Sequence, residues 1–409
     1  MVRMNSTPRE PVGRRQRALF VTTVPITLTA FLLPLADALA SEGWTVDCLS
    51  AGSVPGNPVA TSAEPSLVEP FRGRFDAPWN RSPLYSALHI AGSLRAVTGA
   101  VERGEYDVVH VHTPIAALIT RYAIRKMRGG SRSGSVRRPR VLYTAHGFHF
   151  FAGQTGLSGR VYRSLERLAT RWTDDLITIN AEDFEAAGSL TRGTTCRVHL
   201  IEGMGIDLSA YDRHRLETAA FAGGTRTRWG LDGRTVVTCI GELNENKRPE
   251  LVVRAFAHAV ASSGDANLHL VLVGSGPLRN RVARLADTLG VAQRTTLTGH
   301  LPHPDVAAIA SVTDIGVLAS QREGLPRSLM ELVASGAAVC GTRTRGIADI
   351  VGEVSLLAEP SPESLGHALA TLATDSALRG ATAARQRAHA VEHYSLSVIL
   401  PRYLALYRD

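Results

Sequence analysis

Two carboxylates in one short segment are the first candidates for chemistry. In Ser320-Gln-Arg-Glu-Gly-Leu-Pro-Arg-Ser-Leu-Met-Glu331, Glu323 and Glu331 stand eight residues apart. Pro326 suits the first turn of a helix, which puts Glu323 in the loop before it and Glu331 about a turn and a half inside. A helix start offers backbone N–H groups and the positive end of the peptide dipole, a favourable seat for a diphosphate. An ionised carboxylate accepts paired hydrogen bonds from a sugar's hydroxyls, so one glutamate suits a ribose and the other a second sugar. Taken alone the pair carries little weight, because a capping glutamate followed by a surface glutamate has the same spacing.

Lys247 is a second candidate. It follows an apolar strand and a glycine turn, where a phosphate would sit, although a lone lysine is more often solvated. His146 ends another strand-like run, with His149 close behind it and His112 ending an earlier one; a lone histidine is most often a satisfied polar group, and His110 reads as structural. The four cysteines, Cys48, Cys196, Cys239 and Cys340, are scattered with no metal-ligand spacing, so they read as buried thiols and no metal site is expected.

The elements that must position these groups follow from the apolar periodicity. Ala18–Val24 reads as a buried strand broken by Pro25, and Leu28, Phe31, Leu32, Leu35 and Leu39 then recur at helical spacing up to Gly43. Trp44–Ser50 begins the next strand. This β-loop-α-β unit accounts better than a secretory leader for Arg14, Arg15 and Arg17 followed by an apolar run. Further strands are expected at Tyr106–His112, Arg140–Ala145 and Asp175–Asn180. In the second half they are expected at Arg234–Ile240, Leu268–Val273, Thr295–Thr298, Asp314–Ala319 and Ala337–Cys340.

Glycines follow most strands of the second half, at Gly241, Gly274, Gly276, Gly299, Gly324 and Gly341. At the carboxyl edge of a doubly wound sheet they allow close backbone approach to a ligand. A chain of 409 residues suits two such α/β domains, with the boundary near Gly203–Gly230 and a helical last segment from about Arg385. The stretch Arg128–Pro139 reads as a loop.

The formal net charge is +8, which favours an anionic partner. From Arg121 to Arg140 there are eight Arg or Lys and no acid, followed by Arg160, Arg163, Arg167 and Arg171. A solvated basic loop and a surface docked on anionic lipid both fit this pattern; without interleaved aromatics, nucleic acid is not expected. No run is long enough to span a membrane, so a soluble or peripheral protein is expected.

Together these segments resemble glycosyltransferase family 4, over most of the chain, and most closely the bacterial branch that builds exopolysaccharide, capsule and other lipid-carried surface glycans. The similar segments are His112-Thr-Pro114, Tyr143-Thr-Ala-His-Gly-Phe-His-Phe150, Leu176–Asn180, Gly203-Met-Gly-Ile-Asp207, Gly241-Glu-Leu-Asn-Glu-Asn-Lys247, Gly274-Ser-Gly-Pro277, Glu323-Gly-Leu-Pro326 and Arg345-Gly346. The resemblance implies a GT-B fold: a Rossmann-like acceptor domain at 14–204, a nucleotide-sugar domain at 205–388, and a terminal helix at 389–409 packing back on the first domain.

By the same resemblance, Glu331 should hold the donor ribose, Glu323 the transferred sugar, and Lys247 the diphosphate, with Asn244, Gly324, Leu325 and Arg345 around it. Gly274, Gly276 and Pro277, with His300 and Leu301, should form the base pocket, and His146 should contact the donor sugar. The implied reaction is retaining transfer of a hexose or N-acetylhexosamine from a nucleotide sugar, UDP by preference. The acceptor is expected to be a lipid-linked glycan at the cytoplasmic leaflet, with no metal or other cofactor. Many members carry Arg directly after the glycine where this chain has Glu242, which leaves the phosphate contacts to Lys247 with Arg248 or Arg345. The alternatives are an inactive GT-B assembly partner and a sugar-nucleotide epimerase. A nicotinamide oxidoreductase is less favoured, because no G-x-G-x-x-G follows the first strand.

Overall fold

The computed structural model describes residues 14–23, 27–50, 83–130, 138–150, 156–211, 222–264 and 267–408. The first domain is built on strands β1 (Arg17–Val21), β2 (Thr45–Leu49), β3 (Val108–His112), β4 (Arg140–Ala145), β5 (Asp175–Thr178) and β6 (Arg197–Leu200). All pair in parallel, in the order β2-β1-β3-β4-β5-β6. Its helices are α1 (Leu33–Ser41), α2 (Pro83–Gly104), α3 (Pro114–Gly130), α4 (Leu157–Ala169) and α5 (Ala181–Leu190), with a π-helical turn at Leu28–Leu32 leading into α1.

The second sheet uses β7 (Thr235–Ile240), β8 (Leu268–Val273), β9 (Thr295–Gly299), β10 (Ile315–Leu318), β11 (Ala338–Thr342) and β12 (Leu357–Ala358). These are again parallel, in the order β12-β11-β10-β7-β8-β9. Around it lie α6 (Ala222–Trp229), α7 (Pro249–Ser263), α8 (Arg279–Thr288), α9 (His303–Ser311), α10 (Arg327–Ala334), α11 (Ile347–Val351), α12 (Pro362–Thr374) and α13 (Ser376–His393). Helices on both faces bury both sides of each central strand, which is why β3 and β8 are buried at every residue, the histidines His110, His112 and His269 included.

The last helix, α14 (Leu396–Arg408), returns to the first domain. Its Ile399, Tyr403, Leu406 and Tyr407 share a core with Phe20, Leu35, Leu39 and Trp44. The Tyr407 hydroxyl lies 2.6 Å from His110 Nδ1, and Arg140 donates to the Leu406 carbonyl at 2.6 Å. The two chain crossings run side by side, since Ile206 N–H donates to the Tyr394 carbonyl and Leu396 N–H to the Ile206 carbonyl.

Three expectations need correction or a limit. The stretch from Arg128 does not begin as a loop: α3 continues to Gly130, and residues 131–137 lie outside the described residues, as do Val24 and Pro25. Arg121 is not part of a basic surface. It is fully buried, 3.0 Å from Glu166 and stacked 4.2 Å from the Tyr143 ring, because a guanidinium taken out of water needs a carboxylate and a π face. Arg138 and Arg140 pair with Asp174 and Asp175. Finally, strands β6 and β12 lack a sequence signal, the first half-exposed at a sheet edge and the second two residues long.

Candidate active site

In each sheet the strand order reverses direction once, between β1 and β3 in the first domain and between β7 and β10 in the second. Ligands bind outside the carboxyl ends of the strands at such reversals, where loops diverge and leave a crevice. The two crevices meet. They enclose a cavity of about 380 Å³ lined by Thr27, Phe31, Thr113, His146 and Ile179 from the first domain. Ile240, Gly241, Lys247 and the run Glu323–Ser328 line it from the second.

Lys247 and Glu323 come from opposite sides of the second reversal, after β7 and after β10. The ammonium lies 2.6 Å from Glu323 Oε1. The Lys247 N–H donates to Asn244 Oδ1 at 3.0 Å, and Asn244 Nδ2 donates to Glu242 Oε2 at 2.9 Å. Asn244 therefore shapes the loop rather than lining the cavity, and the Glu242 that it holds is exposed.

Gly324 sits where the domains touch. A Cβ there would lie 2.2 Å from the His146 carbonyl oxygen, and the Gly324 carbonyl accepts from Asn180 Nδ2 at 3.1 Å. Gly274, at φ +135°, and Gly276 have a different reason to be glycine. Cβ atoms there would meet the Gly241 and Leu243 carbonyl oxygens at 2.1 and 2.5 Å, so these glycines let two loops of the second domain pack backbone to backbone. With Pro277, they do not line the cavity.

Glu331, on α10, is buried beside the cavity. Arg327 Nε donates to its Oε1 at 2.9 Å, and His303 Nε2 lies 3.6 Å away with the Tyr211 hydroxyl 2.7 Å beyond. Burial raises the carboxyl pKa, but His303, Tyr211 and Arg327 outweigh it and hold Glu331 below the ordinary value, so it is ionised. Arg327 also lies 5.4 Å from the Phe31 ring centroid, a cation–π contact across the cleft. Tyr211, His303, Arg327 and Phe31 escaped the sequence reading, which placed the base pocket at Gly274, Gly276 and Pro277 with the backbone near His300 and Leu301. The His300 side chain is exposed, and that of Leu301 packs against the apolar cluster that includes Leu231 and Val271.

In the first domain His110, His112 and His146 form a file. The rings of His110 and His112 are 4.1 Å apart, and His112 Nδ1 lies 3.1 Å from His146 Nε2. Burial lowers the pKa of His146 to about 4, so its imidazole is neutral near pH 7 and serves as a hydrogen-bonding group rather than as a proton donor of matched acidity. Thr113, beside it, has φ +68°, an outlier for a β-branched residue and a sign of local strain at the cavity wall.

Arg345 does not reach the cavity. Its guanidinium crosses to the first domain, where Nη1 donates to Asp183 Oδ1 at 2.6 Å and to the Phe150 carbonyl at 3.0 Å, and Nη2 to the Phe148 carbonyl at 2.6 Å. It is a clasp between domains, and the phosphate role expected of it is not supported by its position.

Comparison with known proteins gives this geometry its family. Residues 28–193 match the Glycosyl transferase 4-like domain and residues 234–375 match Glycosyl transferases group 1. EpsD of Bacillus subtilis (strain 168), which bears a glycosyltransferase name, is 30% identical over 339 residues, covering 82% of this chain and 81% of EpsD. The chain belongs to this glycosyltransferase family. The UDP-Gal:alpha-D-GlcNAc-diphosphoundecaprenol alpha-1,3-galactosyltransferase of Escherichia coli is 26% identical over 247 residues, 60% of this chain and 59% of that one. Among solved structures, Anabaena HepE in complex with UDP superposes with a TM-score of 0.70 at 16% identity, covering 96% of this chain and all of that one. The glycosyltransferase fold is thus GT-B, two Rossmann-like domains facing across the cleft that holds Lys247 and Glu323.

Proposed function

We propose that this glycosyltransferase transfers a hexose or N-acetylhexosamine, with retention, from a UDP-sugar to a lipid-linked glycan in surface polysaccharide synthesis at the cytoplasmic leaflet. The observation that carries the reading is the Lys247–Glu323 pair, set in the cleft between the start of α10 and His146. A diphosphate entering there competes for the ammonium and frees Glu323 to accept hydrogen bonds from the sugar. Negative charge grows on the leaving phosphate in the transition state, where Lys247 and the α10 dipole stabilise it without reorganisation. The acceptor hydroxyl gives its proton to that leaving oxygen on the same face, so no carboxylate nucleophile is needed.

Glu331, ionised and buried, suits the paired hydroxyls of a ribose, and neutral His146 suits a hydroxyl of the transferred sugar. HepE, whose structure contains UDP, supports the choice of nucleotide, and the Escherichia coli enzyme named for a diphosphoundecaprenol substrate supports a lipid-linked acceptor. Lysine and helix dipole take the place of a divalent cation in this reading. Among the described residues no helix is long and apolar enough to cross a membrane, which fits attachment at the surface.

The test is release of nucleotide diphosphate from a panel of UDP-, GDP- and ADP-sugars, with and without an undecaprenyl-diphosphate sugar, in EDTA and in Mg²⁺. Turnover of a UDP-sugar in EDTA, stimulated by the lipid acceptor with the α-linkage preserved, is expected. Strict dependence on Mg²⁺ or an inverted product would refute the corresponding part, and no turnover of any donor would favour an inactive assembly partner.

A further inference from the structure

Helix α4 presents an unusual face to solvent. Leu157 is 77% exposed, Val161 47% and Leu168 42%. With exposed Ser164 between them, their spacing of four, three and four residues puts them on one stripe of the helix. Arg160 and Arg167 flank that stripe on one side, and Arg171 follows in the 3-10 turn at Thr170–Trp172; all three are exposed.

The patch continues onto α3. Tyr122, 37% exposed, lies 5.9 Å ring to ring from Trp172, with Arg125 stacked on Trp172 and Lys126 beside the Tyr122 ring. The only acid between Pro114 and Gly130 or between Leu157 and Trp172 is Glu166, and it is buried against Arg121. An apolar stripe with an aromatic at one end and five cations around it has the composition of a helix lying in the interface of an anionic bilayer.

Its place in the fold gives the stripe a use. The loop after β4 carries His149, whose ring packs 4.9 Å from Tyr162 of α4, and Phe150, which lies under Arg163 of the same helix. The same loop starts at cavity-lining His146. Helix α4 therefore joins the outer surface of the first domain, through Tyr162 and Arg163, to the loop that begins at the cavity.

We propose that the face of α4 formed by Leu157, Val161 and Leu168, with Arg160, Arg167 and Arg171 and the adjoining Tyr122, Arg125 and Lys126, docks the protein on an anionic phospholipid surface. The docking site rests on the reading of a lipid-linked acceptor for its purpose, but not for its physical basis. The apolar side chains enter the headgroup boundary while the guanidinium groups meet lipid phosphates, and an acceptor anchored in the same leaflet reaches the cleft along α4.

The experiment is flotation of the full chain with phosphatidylcholine vesicles, with and without phosphatidylglycerol, at physiological salt. The wild type should float only with the anionic vesicles. Leu157→Asp with Leu168→Asp, and separately Arg160→Glu with Arg167→Glu, should each lower the bound fraction by about tenfold or more. All four side chains are exposed, so thermal melting and UDP-sugar hydrolysis should be unchanged. Equal wild-type binding to both vesicle types, or undiminished binding by the variants, overturns the proposal. So does a wild-type dimer in sedimentation that Leu157→Asp dissociates, which would assign the face to a second copy. Vesicle binding with no transfer to a lipid acceptor would instead leave the surface standing and refute the acceptor assignment.

Discussion

Arg345 of the second domain lies 2.6 Å from Asp183 of the first, and both side chains are almost wholly removed from water. Burial raises the Asp183 pKa, which Arg345, Asn180 and the Phe148 N–H offset only in part. The cleft is thus closed by a pair that is costly to bury and costlier to break, because removing one partner strands the other. Arg345→Ala should lower kcat about 100-fold, the order expected from misplacing reacting groups by about 1 Å, while UDP-sugar affinity stays near that of the wild type. Titration calorimetry set beside turnover separates the two, and an unchanged kcat would remove Arg345 from domain closure.

Among the described residues Lys247 pairs with one carboxylate, Glu323, and in the proposed reaction the donor diphosphate competes for it. Lys247→Ala should reduce kcat/KM by about 10²- to 10³-fold, the usual loss for one preorganised charge at a developing anion, with Lys247→Arg recovering part. Steady-state kinetics decides, and a fall confined to KM would mean that the lysine binds ground state and transition state equally.

In the proposed reaction Glu331 binds the donor and takes no part in bond making. Glu331→Ala should raise the donor KM by about 10- to 100-fold, the value of charge-assisted hydrogen bonds, and change kcat far less. A 2′-deoxyribose donor should lose affinity with the wild type and nothing further with the variant. Equal discrimination by both proteins would place the ribose elsewhere.

The contact between His112 and His146 has a tautomeric consequence. Among the described residues the buried His112 Nε2 has no hydrogen-bond partner, and an unpaired acceptor there costs less than an unpaired N–H. The shared proton therefore belongs on His112 Nδ1, which leaves His146 protonated at Nδ1, the ring nitrogen that His112 does not engage. Nitrogen NMR of the histidine rings should find His146 as the Nδ1–H tautomer in the wild type and a mixture in His112→Ala. A pure Nε2–H form in the wild type would refute this.

The same histidines set a pH dependence. Burial lowers His110 to about 3 and His146 to about 4, and takes His112 well below its usual value. The unfolded chain binds these protons near pH 6.5 and the folded chain does not. Stability is therefore complete above about pH 6.5 and falls as the pH drops toward 4, by about tenfold in the folding constant per pH unit for each histidine. Urea midpoints at pH 7.5 and 5.0 should differ strongly, and His110→Phe, where the ring stays apolar, should lessen the difference. Equal midpoints would mean that these imidazoles are protonated in the folded protein.

Much of this site could be read before any coordinates. The strand positions follow from apolar runs, Glu323 and Lys247 from the loops after two of them, and Glu331 from its eight-residue spacing to Glu323 inside the next helix. His146 falls into the cavity for the same reason. The cluster around Glu331 could not be read, because Tyr211 and His303 are 92 residues apart and meet only when their elements pack. His300 and His303 are both exposed, and only the second reaches Glu331 and the Tyr211 hydroxyl.

Charge was similarly ambiguous in one dimension. Arg121 heads a basic run yet is buried, since Glu166, 45 residues on, reaches it through the packing of α3 on α4. Arg167, one position after that glutamate, points to water. Local spacing and composition by themselves determined the two parallel α/β halves, the glycine-lined strand ends and the carboxylates and lysine placed there, because these depend on hydrogen bonds and burial within one element. Which cation faces the cleft, which clasps the domains and which lies on the surface was decided only by tertiary structure, because a charge is placed by the partner that desolvation forces on it, and that partner lies far away along the chain.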